Sequence, residues 1–188
     1  PGQVFLGGSF TTVNGGTVRN HAAAFDDTSG AALPWDPNLD GVANALVTTP
    51  STIYVAGAFQ HVNGGLARRF AAAFASANVA TATGWSPAPS TAVTSLALTG
   101  SRIFLGLSGM PTAIYATDLT TGAQASFNAT TSNAITALTP IGGAVCAGGL
   151  FTVAGSQPHL RSACFDASTG TVSATWNPSF DADVYATA

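Results

Sequence analysis

Four copies of one pattern run through this chain, and that self-similarity constrains its fold more than any other feature. The first copy reads VFLGGSFTTVNGG from Val4, HAAAFDDTSG from His21 and PWDP from Pro34. The second reads IYVAGAFQHVNGG from Ile53, FAAAFA from Phe70 and GWSP from Gly84. The third reads IFLGLSG from Ile103, AIYATDLTTG from Ala113 and SFNA from Ser126. The fourth reads VCAGGLFTVAGS from Val145, SACFDASTG from Ser162 and TWNP from Thr175. The landmarks stay in phase: Phe10 to Phe59 is 49 residues, Trp35 to Trp85 is 50, Trp85 to Phe127 is 42 and Phe127 to Trp176 is 49. Phe151 stands in the fourth copy where Phe10 and Phe59 stand in the first two. The third copy is degenerate, without the VNGG loop and with Phe127 in place of Trp.

A further apolar alternation separates successive copies: VANALVT from Val42, VTSLALT from Val93, AITALTP from Ala134 and VYATA from Val184. Each unit therefore predicts four short strands, here termed segments a (VxxLx), b (IYVGG), c (AAAFD) and d (xWxP). Segment b is β-branched and aromatic and ends in Gly-Gly. Segment c runs into Asp-x-x-x-Gly, where Asp accepts turn N–H groups and Gly takes the left-handed position. Segment d stops at Pro37, Pro87 or Pro178, because proline cannot continue a ladder away from an edge. Four strands in about 45 residues is the size of one blade, so the expected fold is all-β, a β-propeller of four-stranded antiparallel blades. The repeats fall at approximately 3–52, 53–102, 103–143 and 144–188, in a single propeller domain or part of a larger one. Trp35, Trp85, Phe127 and Trp176 are the expected large packing units, and the Gly pairs and Ala runs let neighbouring sheets approach.

Composition fits this reading. Charged residues are 7% of the chain, every basic residue is Arg and every acidic one Asp. Long helices carry Glu and Lys on their wet face, and this chain has neither. The net charge of −3 and five dispersed arginines argue against nucleic acid as a partner. No apolar run approaches the roughly 18 residues of a membrane-spanning helix.

The motif set IYVGGxFxxVNG, R…LAAFDxxTG, WNP and VxALA resembles the delta-60 family of bacterial β-propeller repeats. The resemblance spans essentially the whole chain and is weakest in the third copy. It implies a propeller fold in a secreted or surface-anchored bacterial protein, beside adhesion-type modules, and it transfers no catalytic residues.

The chain opens on segment b and closes on segment a. Two arrangements follow: residues 184–188 complete the first blade and close a ring, or the missing strand comes from neighbouring sequence or another molecule.

Candidate chemistry is sparse. Cys146 on segment b and Cys164 on segment c of one repeat face each other across antiparallel neighbours; they are a candidate disulfide or two small core residues. His21, His61 and His159 lie in or beside b-to-c loops and predict no metal site. Asp26, Asp27, Asp118 and Asp166 read as turn caps rather than calcium ligands. Asp36, Asp40, Asp181 and Asp183 flank the d-to-a connections, and no spacing selects a glycosidase pair among the carboxylates. Arg19, Arg68, Arg69 and Arg161 precede segment c and suggest capping of loop carbonyls. No catalytic residue, cofactor or metal is predicted. The expected function is a non-catalytic extracellular structural or adhesion scaffold whose partners are other extracellular proteins or copies of itself. A glycan-binding, lectin-like propeller and a glycan-active enzyme are the alternatives.

Overall fold

The computed structural model describes residues 2–77, 79–109 and 112–188, and it is all-β, with no helix among the described residues. The chain divides into two compact units, Pro1–Pro89 and Ser90–Ala188. The division falls between a segment d and the following segment a, so each a strand belongs with the b strand after it.

In the first unit the strands are β1 (Gln3–Gly7), β2 (Thr12–Val13), β3 (Thr17–Val18), β4 (Ala22–Asp26), β5 (Ala43–Thr48), β6 (Thr52–Gly57), β7 (His61–Val62), β8 (Leu66–Ala67) and β9 (Ala71–Ala75). Segments a, b and c of the second repeat form the antiparallel sheet β5-β6-β9. Segments b and c of the first repeat form the two-stranded sheet β1-β4. The VNGG loops close small hairpins, β2-β3 and β7-β8. Asn14 and Asn63 sit there at positive φ, followed by glycines that reach φ 75° and beyond. Trp35, Leu39, Ile53, Val55, Phe59, Val62 and Phe74 form the core with the alanines of β4 and β9. Residues 22–24 and 71–73 are fully buried, and Ala22, Ala24 and Ala72 share this core with the aromatic rings.

In the second unit the strands are β10 (Val93–Thr99), β11 (Arg102–Leu107), β12 (Thr112–Asp118), β13 (Thr130–Thr131), β14 (Ile135–Ile141), β15 (Ala144–Gly149), β16 (Val153–Ala154), β17 (Gln157–Pro158) and β18 (Ser162–Asp166). Two a-b-c sheets recur, β10-β11-β12 and β14-β15-β18. In the third repeat β13 pairs with the start of β12 and with β16, linking the b-to-c hairpin of the fourth repeat to the first of these sheets. The shortened connection of the third repeat includes residues 110 and 111, which lie outside the described residues.

Segment d corrects the sequence reading. In the first, second and fourth repeats it is not a fourth strand. It touches segment c through one isolated bridge per repeat, Phe25 to Ala32, Phe74 to Ala82, Thr117 to Gln124 and Phe165 to Val172. One further bond follows in each, as from Leu33 N–H to Ala24 O at 2.8 Å, and the chain then leaves the sheet in all but the third repeat, where it returns to segment c as β13. The cause is tertiary. Trp35 swings away to donate its indole N–H to Ala75 O on β9, the c strand of the next repeat, at 3.1 Å. Pro37, Pro87 and Pro178 have no N–H with which to rejoin a ladder.

One packing contact repeats inside both units. Within each unit an a segment lies flat on the b strand of the repeat before it, at a small residue. A Cβ on Gly7 would meet the Ala43 Cβ at 2.9 Å; one on Gly106 would meet Ile135 Cγ2 at 2.8 Å; one on Gly148 would meet Val184 Cγ1 at 2.6 Å. A threonine hydroxyl fastens the same contact. Thr94 Oγ donates to Ile135 O, and Thr136 Oγ to Val184 O. Residues 184–188 thus sit where a following repeat's a strand would sit. They are not a strand, and they are held by Thr136 and by a 2.6 Å hydroxyl bond between Thr139 and Thr187. Among the described residues β1 pairs with β4.

At Gly57 the close approach involves backbone. A Cβ there would stand 2.0 Å from Val42 O and 3.0 Å from Ala43 Cα, beside the register shift of the β5-β6 pair. A Gly-to-Ala change at a compatible site stabilises by up to about 1 kcal/mol. Gly57→Ala is expected to do the reverse, costing about 2 kcal/mol through overpacking, read as a lowered urea midpoint at unchanged slope.

Candidate functional site

The aromatic residue of segment d is wedged edge-on against an aromatic of its own b strand in three repeats. Phe5 meets Trp35 at 5.0 Å, Tyr54 meets Trp85 at 5.1 Å and Phe104 meets Phe127 at 5.1 Å between ring centroids. Trp35 also contacts Phe74 of the following repeat at 5.9 Å. The fourth repeat departs from this. Cys146 occupies the place of Phe5, Tyr54 and Phe104, lies directly opposite Cys164 in the β15-β18 register, and is disulfide-bonded to it. Trp176 has no such aromatic beneath it. It is 43% exposed, against 1% for Trp35 and 2% for Trp85. An open groove of about 610 Å³ results, lined by Ile141, the disulfide, Phe165, Val172 and Trp176. Its walls are mostly apolar.

The other predicted landmarks are architectural. The carbonyls of Phe10, Phe59 and Phe151 accept the N–H of His21, Phe70 and Arg161 at 2.8–2.9 Å. These three acceptor-bound residues sit at equivalent places just before segment c, at φ 65°, 64° and 71°. A strained conformation held in three copies by the same bond is part of the repeat rather than a mark of one site. His159 occupies the place of Arg19 and Arg68, which sequence comparison missed because the residue types differ. Arg19 and Arg68 cap the carbonyls of Leu33 and Thr83 at 2.7 and 3.0 Å, while His159 is buried with Nδ1 unpartnered. Arg69 stacks on Phe70 at 5.5 Å. Arg161 caps Leu150 O and pairs with Asp183 at 3.4 Å. His21, His61 and His159 belong to separate loops, and the described residues contain no group of three or more residues able to ligate a metal.

The turn aspartates share one geometry. One Asp166 oxygen accepts the N–H and hydroxyl of both Ser168 and Thr169, at 2.5–3.0 Å. Asp26 accepts the N–H groups of Thr28 and Ser29 and the Ser29 hydroxyl, and Asp118 accepts the N–H groups of Thr120 and Thr121 and the Thr121 hydroxyl. The Ser168 hydroxyl, then the Thr169 N–H and hydroxyl, hold the Asp166 carboxyl at about 2. The Ser29 hydroxyl lowers Asp26, and the Thr121 N–H lowers Asp118. A carboxyl near 3.9 when unfolded and lower when folded contributes stability that is complete above its unfolded value and lost as pH falls through the folded one. Asp166→Asn is therefore expected to have a lower thermal midpoint than the parent at pH 5, with the difference closing as pH falls toward about 2.

Another carboxylate was not legible as a cap. Asp40 Oδ1 accepts the N–H groups of Gln60 and His61 at 2.7 and 2.9 Å, and Oδ2 meets His61 Nδ1 at 2.7 Å. Burial opposes its charge, but the His61 and Gln60 N–H groups and the His61 ring outweigh burial and lower its pKa. Ser132 does the equivalent work in the second unit, accepting the N–H of Thr152 and Val153 at 3.0 and 3.1 Å. Both lie three residues before the first residue of an a strand, and that fixed offset is the signal that would have found them. The small cleft beside Asp40 includes Asn20, Asn38 and His61. Asn20 donates to Asn38 at 2.7 Å, so its polar groups largely serve one another.

No family model matches the chain, and no curated protein matches it. Among solved structures the chain is similar to a computationally designed protein, Ika8, with a TM-score of 0.38 and 12% identity over 88% of this chain and 70% of that one. A likeness at that score carries no argument about fold or function.

Proposed function

We propose that the chain is a non-catalytic structural or adhesion scaffold, built as blades of a β-propeller and working outside the cell. The observation that carries this reading is the recurrent seating of an a segment on the preceding b strand within both units, at Gly7, Gly106 and Gly148. Flat contacts of this kind between successive repeats suit blades, with segment d as the wedge between neighbours. The charged side chains are engaged in holding the loops: Asp26, Asp40, Asp118 and Asp166 cap turns, and Arg19, Arg68 and Arg102 cap carbonyls. The resemblance to delta-60 repeats supports the secreted setting, and a Cys146–Cys164 disulfide is compatible with it.

The test is a glycan array combined with a polysaccharide hydrolysis assay on the folded chain. The scaffold reading predicts no saturable binding and no release of reducing ends. Saturable binding abolished by Asn38→Ala would establish the lectin reading instead, and hydrolysis abolished by Asp40→Asn the enzymatic one.

A further inference from the structure

We propose that Asn63 is a self-modification site. The Gly64 amide nitrogen displaces the Asn63 side-chain amide, and water opens the resulting cyclic imide to leave aspartate or isoaspartate in the β7-β8 hairpin. The reaction is independent of the scaffold role.

The turn itself selects the residue pair. Asn63 and Gly64 are exposed in the loop that closes β7 on β8. They stand at φ 49° and φ 75°, a left-handed conformation that glycine adopts without cost and asparagine tolerates better than most side chains. The same dipeptide closes the β2-β3 hairpin as Asn14-Gly15, at φ 46° and 75°. The chemistry needs a main-chain nitrogen free to approach the side-chain carbonyl carbon. Among the described residues the Gly64 N–H donates no hydrogen bond. A Cβ on Gly64 would meet one atom within 4 Å, Asn38 Nδ2 at 3.9 Å, so the approach is open.

The step balances with water as its only co-reactant. The Gly64 N–H gives its proton to solvent base. The nitrogen then bonds to Asn63 Cγ, the Cγ–Nδ2 bond breaks, and Nδ2 leaves as ammonia. Water adds to the imide. Breaking the new bond at Cγ gives aspartate. Breaking the original bond at the Asn63 main-chain carbonyl carbon gives isoaspartate, with the main chain routed through Cγ. The sum is amide plus water to carboxylate plus ammonium, with nothing oxidised or reduced.

The product matters because of what Nδ2 does in the folded chain. It donates to Ala80 O at 3.1 Å, while the Asn63 N–H donates to Pro37 O at 2.8 Å. A carboxylate cannot donate, so conversion removes a tie on the hairpin and sets like partial charges face to face. It also adds one negative charge to a chain of formal charge −3. The two bonds restrain the asparagine, so the folded chain converts more slowly than the unfolded one. The fourth repeat is the internal control. Ala154 takes the place of Asn63 there, buried and paired with Thr131, and has no amide to lose.

Incubation of the intact chain in warm, mildly alkaline buffer tests this, with tandem mass mapping and isoaspartate-specific methylation at intervals. Asn63 is expected to gain the mass of one amide-to-acid conversion and to resolve into two isomers. It is expected to do so about tenfold or more faster than Asn38 and Asn128, whose following residues, Leu39 and Ala129, carry side chains. Gly64→Ala is expected to slow conversion about tenfold with unchanged circular dichroism. Asn63→Gln keeps an amide but lengthens the ring that would form, and is expected to stay unconverted; it covers the case in which alanine at φ 75° disturbs the turn. Asn63 intact in the folded chain while the urea-unfolded chain converts it overturns the inference. So does conversion no faster than at Asn38 and Asn128, or a rate indifferent to both substitutions. None of these outcomes bears on the glycan assays.

Discussion

Replacing Trp35 by alanine is expected to cost about 4 kcal/mol, whereas Trp176→Ala costs less than about 1 kcal/mol in the monomer. The two residues hold the same place in their repeats and differ in what surrounds them. Trp35 is buried between Phe5 and Phe74, edge-on to both, and donates its indole N–H to Ala75 O. Removing it opens a cavity between two successive repeats and leaves a carbonyl without its donor. Alanine cannot collapse that space, because its walls are strands already paired in their own sheets. Trp176 lies over a disulfide at the rim of an open groove, so its removal exposes little that was dry. Urea titration of the two variants gives the comparison. Equal losses would mean that the wedge is not what joins neighbouring repeats.

Loss of the disulfide, by Cys146→Ala with Cys164→Ala, is expected to destabilise the second unit by about 3 kcal/mol, from the entropy of a loop of this length in the unfolded chain. The linked residues are separated by 18 positions, and the loop between them carries the β16-β17 hairpin. The native sheet holds the two residues opposite each other with or without the bond, so the effect acts chiefly through the unfolded state. The first unit has no cysteine, and its stability is the internal control. A reductant added to the parent chain should reproduce the loss seen in the double variant. The loss matters to the groove too, because the disulfide forms its floor in place of the aromatic found in the other repeats.

How much of this was legible in the sequence depended on distance along the chain. Segments a, b and c were visible because alternation and turn residues are local, and all but residues 184–188 became strands in the expected order. The Asp26, Asp118 and Asp166 caps were visible for the same reason, since each carboxylate bonds groups two and three residues ahead. Segment d was misread because its path is set by a partner 40 residues away, the carbonyl of Ala75 that receives the Trp35 N–H. The Asp40 cap on Gln60 and His61 was hidden likewise, across about 20 positions and two repeats. His159 was hidden by chemistry rather than distance, because comparing residue types sets it apart from the arginines whose place it takes. The resting place of residues 184–188 could not be read at all. Their sequence marks them as an a segment, and only the contacts of Gly148 and Thr136 show which sheet they lie on.

The contact of an a segment with the preceding b strand recurs within both units, and proton NMR reads it directly. Nuclear Overhauser cross-peaks are expected from Gly7 Hα to the Leu46 methyls, from Gly106 Hα to the Ile135 methyls and from Gly148 Hα to the Val184 methyls, since a Cβ on each glycine would lie 2.5, 2.8 and 2.6 Å from those carbons. Cross-peaks at Gly7 and Gly106 with none at Gly148 would contradict the repeat role of residues 184–188. Absence of all three would contradict the stacking of successive repeats on which the propeller reading stands.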